Sequence, residues 1–290
     1  MSARNISPAV RNAFQYCETI ARRHYENFPV ATFFLPAHLR PSIAAIYAFA
    51  RTADDFADEG NNTVEQRLSE LDEWQRHLDE CYEGRAGHPI FIALHEVATG
   101  KNIPKQLFAD LLIAFRQDVT KQRYSTYDEL LDYCNHSANP VGRLVLSVFD
   151  DNSDRHFLLS DKICTALQLA NFWQDIHVDI LKNRIYIPLE DMSRFGYTEG
   201  DLVALHYSNA FGQLMRFQVE RTKELFESGK QLLGEVVPEL RFELRLTWNG
   251  GMKILEKIEQ QQYNVLKSRP KITTIDKVLI LLNSALSTKT

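Results

Sequence analysis

Turn-forming residues are too scarce in this chain for a fold built of strands. Its 290 residues include 12 glycines and 10 prolines, about 4% and 3% against a typical usage of roughly 7% and 5%. An all-β chain asks for a turn every ~8–12 residues. Apolar residues instead recur at helical spacing almost throughout. Val64, Leu68, Leu71, Trp74, Leu78 and Tyr82 step by three or four, the signature of one amphipathic helix. Gly84 and Gly87 ahead of Pro89 signal its end. Pro41 stands where a first-turn proline belongs and opens a helix over 42–59 that closes at Gly60. The spacing predicts further helices over 8–27, 90–98, 104–121, 127–149, 154–182, 208–233, 238–267 and 273–286. One long irregular connection remains, 183–200, with Pro188, Gly196 and Gly200; loops of that length are usually functional. With no low-complexity linker and no internal repeat, the reading is one all-α domain over residues 1–290.

Composition removes several function classes. The hydrophobic fraction of 44% and the charged fraction of 24% are those of an ordinary globular chain. The net charge is -5, without the basic bias of a nucleic-acid binder. Cys17, Cys81, Cys134 and Cys164 form no C-x-x-C pair, so neither a zinc site nor a disulfide framework is expected. Met1 to Val10 carry no apolar stretch of the secretory type. The longest aliphatic run, Val278 to Leu282, is far short of the ~20 residues of a spanning helix. The expected location is the cytoplasm, in contact with the inner membrane at most as a peripheral protein.

Two acidic helices carry the chemical signal. Asp54 and Asp58 are i,i+4 and share one helix face, which Arg51 and Tyr47 continue. The rest of that helix is small and apolar (Ala44, Ala45, Ala48, Ala53, Ala57) and should pack deep. Several buried acids are costly without a cation. An acidic helix end facing solvent beside Gly60 is the plainer reading of this segment taken alone. Asp175 and Asp179 then repeat the arrangement, with Asn171 and Gln168 extending the face. Two such stripes suggest two facing walls of one cavity. Carboxylates without Cys or paired His suit hard cations, Mg²⁺ above all. Arg51 and Arg184 add guanidinium forks for a diphosphate near each cluster. The expected chemistry is metal-assisted departure of a diphosphate, with an apolar cavity holding the carbocation.

These residues resemble the squalene/phytoene synthase family of isoprenoid synthases. Tyr47, Arg51, Asp54, Asp55 and Asp58 stand as in its first signature. Gln168, Asn171, Asp175, Asp179, Arg184, Tyr186 and Pro188 stand as in its second. The resemblance spans residues 11–267. It implies the all-α prenyl-synthase fold with a central cavity and Mg²⁺-diphosphate sites on both acidic clusters. It also implies a cavity tyrosine at Tyr133, an aromatic near the substrate's reacting end at Phe28, and substrate contacts at Tyr47, Arg51, Gln168, Asn171, Arg184 and Tyr186. The finer pattern resembles the bacterial hopanoid branch, through Glu26–Ala31, Ala50–Asp55, Ser137–Arg143 and Asn171–Asp175. That implies conversion of presqualene diphosphate and water to hydroxysqualene and diphosphate, without NADPH. Transient contact with a membrane surface and with neighbouring isoprenoid-pathway enzymes is expected. Asn27, the Asn139-Pro140 pair and Gln174 depart from the wider family and count against plain phytoene or squalene synthesis. Head-to-head condensation of two prenyl diphosphates stays open as the alternative. A noncatalytic helical partner fits less well, because all four aspartates, Arg51 and Arg184 are present.

The segment 133–140 adds polar groups where the family pattern lacks them. Pro140 removes a backbone donor inside a helical region and frees the carbonyl of His136. Asn139, with Tyr133 and that carbonyl, is the candidate for holding the water that ends the reaction; a shaped helix kink is the equal alternative. Lone histidines (His24, His136, His177) form no metal spacing and read as structural. Phe172 and Trp173 read mainly as packing, and Trp248-Asn249-Gly250-Gly251 as either cavity lining or a close helix contact.

Overall fold

A computed structural model describes residues 7–23 and 35–286. Thirteen α-helices run through the described residues, and an isolated bridge between Arg123 and Ile185 is the β pairing among them. The chain divides into two compact units: the described residues of Met1–Thr120 with Pro140–Phe157, and those of Lys121–Asn139 with Leu158–Thr290.

The first unit is organised around one small-residue helix. It contains α1 (Pro8–Arg23), α2 (Arg40–Asp58), α3 (Val64–Tyr82), α4 (Pro89–Lys101) and α5 (Lys105–Thr120). The buried alanines of α2, Ala44, Ala45, Ala48, Ala53 and Ala57, let α1, α3, α4 and α5 all approach it. Phe49 anchors the core from the same helix. Its ring lies 5.2 Å from Phe108, 5.8 Å from Phe91 and 6.1 Å from Trp74, spacings at which aromatic pairs add to plain burial. The Trp74 indole also donates to the Phe49 carbonyl at 3.3 Å. A capping box between Thr63 and Gln66 starts α3, satisfying two end donors reciprocally.

The second unit holds the first part of α6 (Tyr127–Val148) and most of α7 (Asp154–Leu181). It continues with α8 (Leu189–Arg194), α9 (Glu199–Val203), α10 (Asn209–Gly229), α11 (Leu232–Glu235), α12 (Pro238–Gln260) and α13 (Thr274–Leu286). Two glycines let helices touch. A methyl group at Gly229 would meet the Leu159 backbone, and one at Gly251 would collide with Phe226 and Leu167. Gly251 is therefore a close helix contact, and beside it Trp248 donates to the Phe226 carbonyl at 3.1 Å.

Three boundaries differ from the sequence reading. The connection expected to be irregular over 183–200 carries α8 and α9. Pro188 precedes the first, and a Thr198–Asp201 capping box starts the second; helices this short show no usable period. The expected helix over 208–233 breaks after Gly229 into α10 and α11. The one expected over 238–267 stops at Gln260, because Gln262 and Tyr263 adopt left-handed φ of 52° and 62°, which no glycine announces.

Candidate functional site

Each acidic cluster is half-buried on its own helix, and each already holds a guanidinium. In the first unit, Arg51 of α2 is 18% exposed. It donates to Asp54 at 2.9 Å, pairs with Asp55, and lies 3.6 Å from Glu59. One fork thus balances several carboxylates of the same helix, which relieves the i,i+4 repulsion between acids. Asp58 lies one turn beyond Asp54, also half-buried. Tyr47 sits two turns before Asp54; burial raises its hydroxyl pKa, against the pull of Arg51.

In the second unit the cation comes from far away in sequence. Arg269 grips both carboxylate oxygens of Asp175, with Nη2 at 3.0 Å from Oδ2. The hydrogen bonds to Asp175 hold the guanidinium pKa above its ordinary value. The neighbouring residue explains how the fork stays there. Gln174 is buried, and its Nε2 donates to the Pro270 carbonyl at 2.6 Å. A side chain on α7 therefore pins the strap that carries Arg269. Nothing in the sequence around Arg269, in Lys267-Ser268-Arg269-Pro270-Lys271, points to Asp175.

Beyond Asp175 the chain turns at Asn183, whose φ is 57°. The turn is pinned by Arg123, which donates to the Asn183 carbonyl and, at 3.0 Å, to its side chain. Arg184 donates its backbone N–H to the Asp179 carbonyl at 2.8 Å. Asp179, Arg184, Tyr186 and Phe172 then line one small cavity of about 10 Å³, roughly the space of one water. Tyr186 stacks on Phe172 with centroids 3.7 Å apart, and Tyr133 lies 6.2 Å from Tyr186. Tyr133 and Tyr186 are thus brought together, with Phe172 and Tyr124 between and behind them. Gln168 and Asn171 lie two turns and one turn before Asp175 on α7, half-buried and exposed respectively.

Asn139 is buried near the middle of α6, next to Pro140, which lies inside the helix. Its carbonyl oxygen accepts from Thr165 of α7 at 2.9 Å, and its amide donates to Asn135 at 2.9 Å. It cross-links α6 to α7, a contact that Thr165 completes and that the sequence did not reveal. Phe28, Asn27 and His24 lie outside the described residues. Burial pushes the thiols of Cys17, Cys81 and Cys134 up to about 12, so none offers a thiolate.

Among the described residues no group of three or more His, Cys, Asp or Glu is arranged to hold a metal alone. Paired carboxylates suit Mg²⁺ all the same. That ion keeps several waters and takes one or two carboxylates plus substrate phosphates, and the donors in both clusters are hard oxygens. A cluster that pairs with a guanidinium is also one suited to positive charge.

Residues 21–276 match the family model for squalene/phytoene synthase. The hydroxysqualene synthase of Sinorhizobium fredii is 34% identical over 261 residues, 89% of this chain and 87% of that protein. The phytoene synthase of Arthrospira platensis is 29% identical over 292 residues, 95% of this chain and 93% of that protein. The crystal structure of squalene synthase HpnC from Alicyclobacillus acidocaldarius superposes with a TM-score of 0.85 at 39% identity, covering 89% of this chain and 97% of that one.

Proposed function

The chain belongs to the squalene/phytoene synthase family, and from that premise we propose that it ionises presqualene diphosphate and quenches the cation with water, releasing hydroxysqualene and diphosphate. The observation that carries the reading is the pair of half-buried i,i+4 aspartate clusters, each holding a guanidinium. Similarity to a hydroxysqualene synthase over most of both chains supports the choice of substrate.

In this reading Asp54 and Asp58 on α2, and Asp175 and Asp179 on α7, hold Mg²⁺. When bound, the ion stabilises negative charge on the departing diphosphate. Arg51 and Arg184 offer forks to the diphosphate oxygens, with Tyr47, Gln168 and Asn171 completing the polar faces. Phe28, Tyr186 and Tyr133 present aromatic surface to the apolar part of the substrate. The C–O bond to diphosphate breaks with both electrons leaving on oxygen. The carbocation rearranges, takes the oxygen of one water, and that water's proton departs to solvent or diphosphate. Water rather than hydride ends the reaction, so no nicotinamide takes part. Asn139 and Tyr133 position the water. The Asn139 amide has one N–H left after its bonds to Asn135 and Thr165. Pathway enzymes that supply presqualene diphosphate and consume hydroxysqualene are the expected neighbours.

A second reading is favoured by the phytoene synthase relative, similar over nearly the whole chain: head-to-head condensation of two prenyl diphosphates to presqualene diphosphate, squalene or phytoene. One assay separates the two. Diphosphate release is followed from presqualene diphosphate and from farnesyl diphosphate, with and without Mg²⁺, and the products are identified. Hydroxysqualene from presqualene diphosphate supports the first reading; turnover of farnesyl diphosphate alone overturns it. Asn139→Ala should shift products toward eliminated or rearranged hydrocarbons more than it slows diphosphate release. Unchanged hydroxysqualene at an unchanged rate would remove Asn139 from the role.

A further inference from the structure

Arg123 lies in the short segment ahead of α6, and every N–H of its guanidinium is engaged. Nη1 donates to the carbonyls of Gln122 and Asn183, at 2.8 and 2.5 Å. Nη2 donates to the Asn183 side chain at 3.0 Å and to Glu199 of α9 at 2.6 Å. Nε donates to the same Glu199 oxygen at 2.9 Å. One planar fork thus joins three places in the second unit: its own segment, the turn after α7 and the start of α9. A lysine offers only a point charge on a flexible stem.

The two places it grips lead straight to the cavity beside the α7 cluster. Arg184 follows Asn183 directly, and Leu202 stands one turn beyond Glu199 on α9. Both line the cavity that Asp179 also lines. The turn needs this support. Asn183 holds a left-handed φ of 57°, which asparagine tolerates at some cost. Backbone pairing fixes the chain beyond the turn: Ile185 donates to the Gln122 carbonyl at 3.0 Å, and Leu189 and Glu190 donate to the carbonyls of Tyr124 and Ser125 at 2.9 and 3.0 Å. Arg184 reaches back to the Asp179 carbonyl. Asn183 lies between these anchors, and Arg123 holds both its carbonyl and its side chain. Stability is not the main return. Arg123 and Glu199 are 24% and 44% exposed, and a surface ion pair contributes ~0–1 kcal/mol. What a fully engaged fork supplies is position.

We propose that Arg123 is a positioning residue for the second acidic cluster. Acting through Asn183 and Glu199, it sets Arg184 and Leu202 so that the Arg184 fork meets a diphosphate held at Asp179. The inference rests on the proposed function, in which Arg184 binds diphosphate; Arg123 itself touches no substrate.

The test titrates the full chain with inorganic diphosphate in the presence of Mg²⁺ by calorimetry, and follows amide hydrogen exchange at Arg184 and Ile185 without either. Arg123→Ala should weaken diphosphate binding by about tenfold to a hundredfold, the usual effect of removing a group that orients a binding residue, and should speed exchange at both amides. Arg184→Ala should weaken binding as well. The pair Arg123→Ala with Arg184→Ala should then bind no more weakly than Arg184→Ala alone, because coupled residues depart from additivity. An arginine that only stabilised the unit would lower the melting temperature and leave the affinity unchanged. Should Arg123→Ala fail to fold, Glu199→Ala carries the test. It removes two of the hydrogen bonds to Arg123, and should weaken diphosphate binding by about threefold or more, an effect that disappears in the Arg184→Ala background. Wild type that binds no diphosphate sinks the functional reading. The hold on the turn is then decided by exchange: faster exchange in Arg123→Ala upholds it, and unchanged exchange removes it. Unchanged diphosphate affinity in a folded Arg123→Ala, or effects of the two alanine substitutions that multiply, would overturn the proposal.

Discussion

Helices α2 and α7 carry the same pair of aspartates at the same spacing, yet their charge is balanced by different means. On α2 the cation is Arg51, one turn away on the same helix. Its position follows from helical geometry alone. On α7 the cation is Arg269, 94 residues from Asp175, delivered by a strap that Gln174 holds through the Pro270 carbonyl. The first balance persists wherever α2 stays helical. The second persists only while a tertiary contact does. Two clusters read as equivalent in sequence thus differ in what can release them. The α7 cluster can lose its guanidinium through a shift of the strap without any change in the helix.

The widest break in the comparison removes the carboxylates themselves. Asp54→Ala and Asp175→Ala should each lower Mg²⁺-dependent diphosphate release by roughly 10²–10³-fold, the cost of losing one preorganised group that stabilises developing charge. Steady-state kinetics at saturating Mg²⁺ provides the check. Full turnover in both variants would mean that neither cluster holds the metal.

A third carboxylate sharpens the comparison by pairing with no cation among the described residues. Glu243 of α12 is buried, makes no ion pair among those of the described residues, and its Oε2 has no hydrogen-bond partner. Burial raises its pKa from 4.5 to about 7. The folded state therefore holds a proton that the unfolded state gives up between those values. Stability should fall as pH rises from about 4.5 to about 7 and level off above, by up to ~3 kcal/mol at about 1.4 kcal/mol per pKa unit. Glu243→Gln should remove this slope and raise the melting temperature at pH above 7 relative to wild type. Parallel melting curves of the two proteins across the window would show that Glu243 is solvated rather than stranded.

How much of this was legible in the sequence depends on how local the cause is. The helices, the alanine-rich face of α2 and both aspartate pairs follow from residues three or four apart, and their elements appear where the spacing placed them. The Arg51 fork is equally local. Arg269 was not visible, because nothing near it refers to Asp175. Thr165 was not visible as the partner of Asn139 for the same reason. Helices α8 and α9 were hidden by their length, and the end of α12 by left-handed residues that are not glycine. The aliphatic run of α13, Val278 to Leu282, was present in the sequence, but only the buried Asp276 and Ser284 show which side of the helix is turned away.

The finest test asks whether the α7 cluster depends on its strap. Gln174→Leu deletes the donor to Pro270 and leaves a buried carbonyl unpaired, at a cost of about 1–3 kcal/mol. Arg269→Gln removes the positive charge that competes with a metal ion at Asp175. That variant should lower the half-saturating Mg²⁺ concentration by about threefold to tenfold, since a like charge within a few ångströms is worth on the order of 1 kcal/mol at high effective dielectric. If Gln174 acts by holding Arg269 in place, Gln174→Leu should shift the Mg²⁺ requirement in the same direction by a smaller amount. The double variant should then match Arg269→Gln alone, because the strap has nothing left to deliver. Contacting residues depart from additivity in this way, whereas independent sites add. Arg51→Gln combined with Gln174→Leu supplies the contrast. The α2 fork owes nothing to the strap, so those two effects should simply sum. Additive effects of Gln174→Leu and Arg269→Gln would dissolve the distinction between the two helices, since the glutamine would then stabilise the unit without governing its cation.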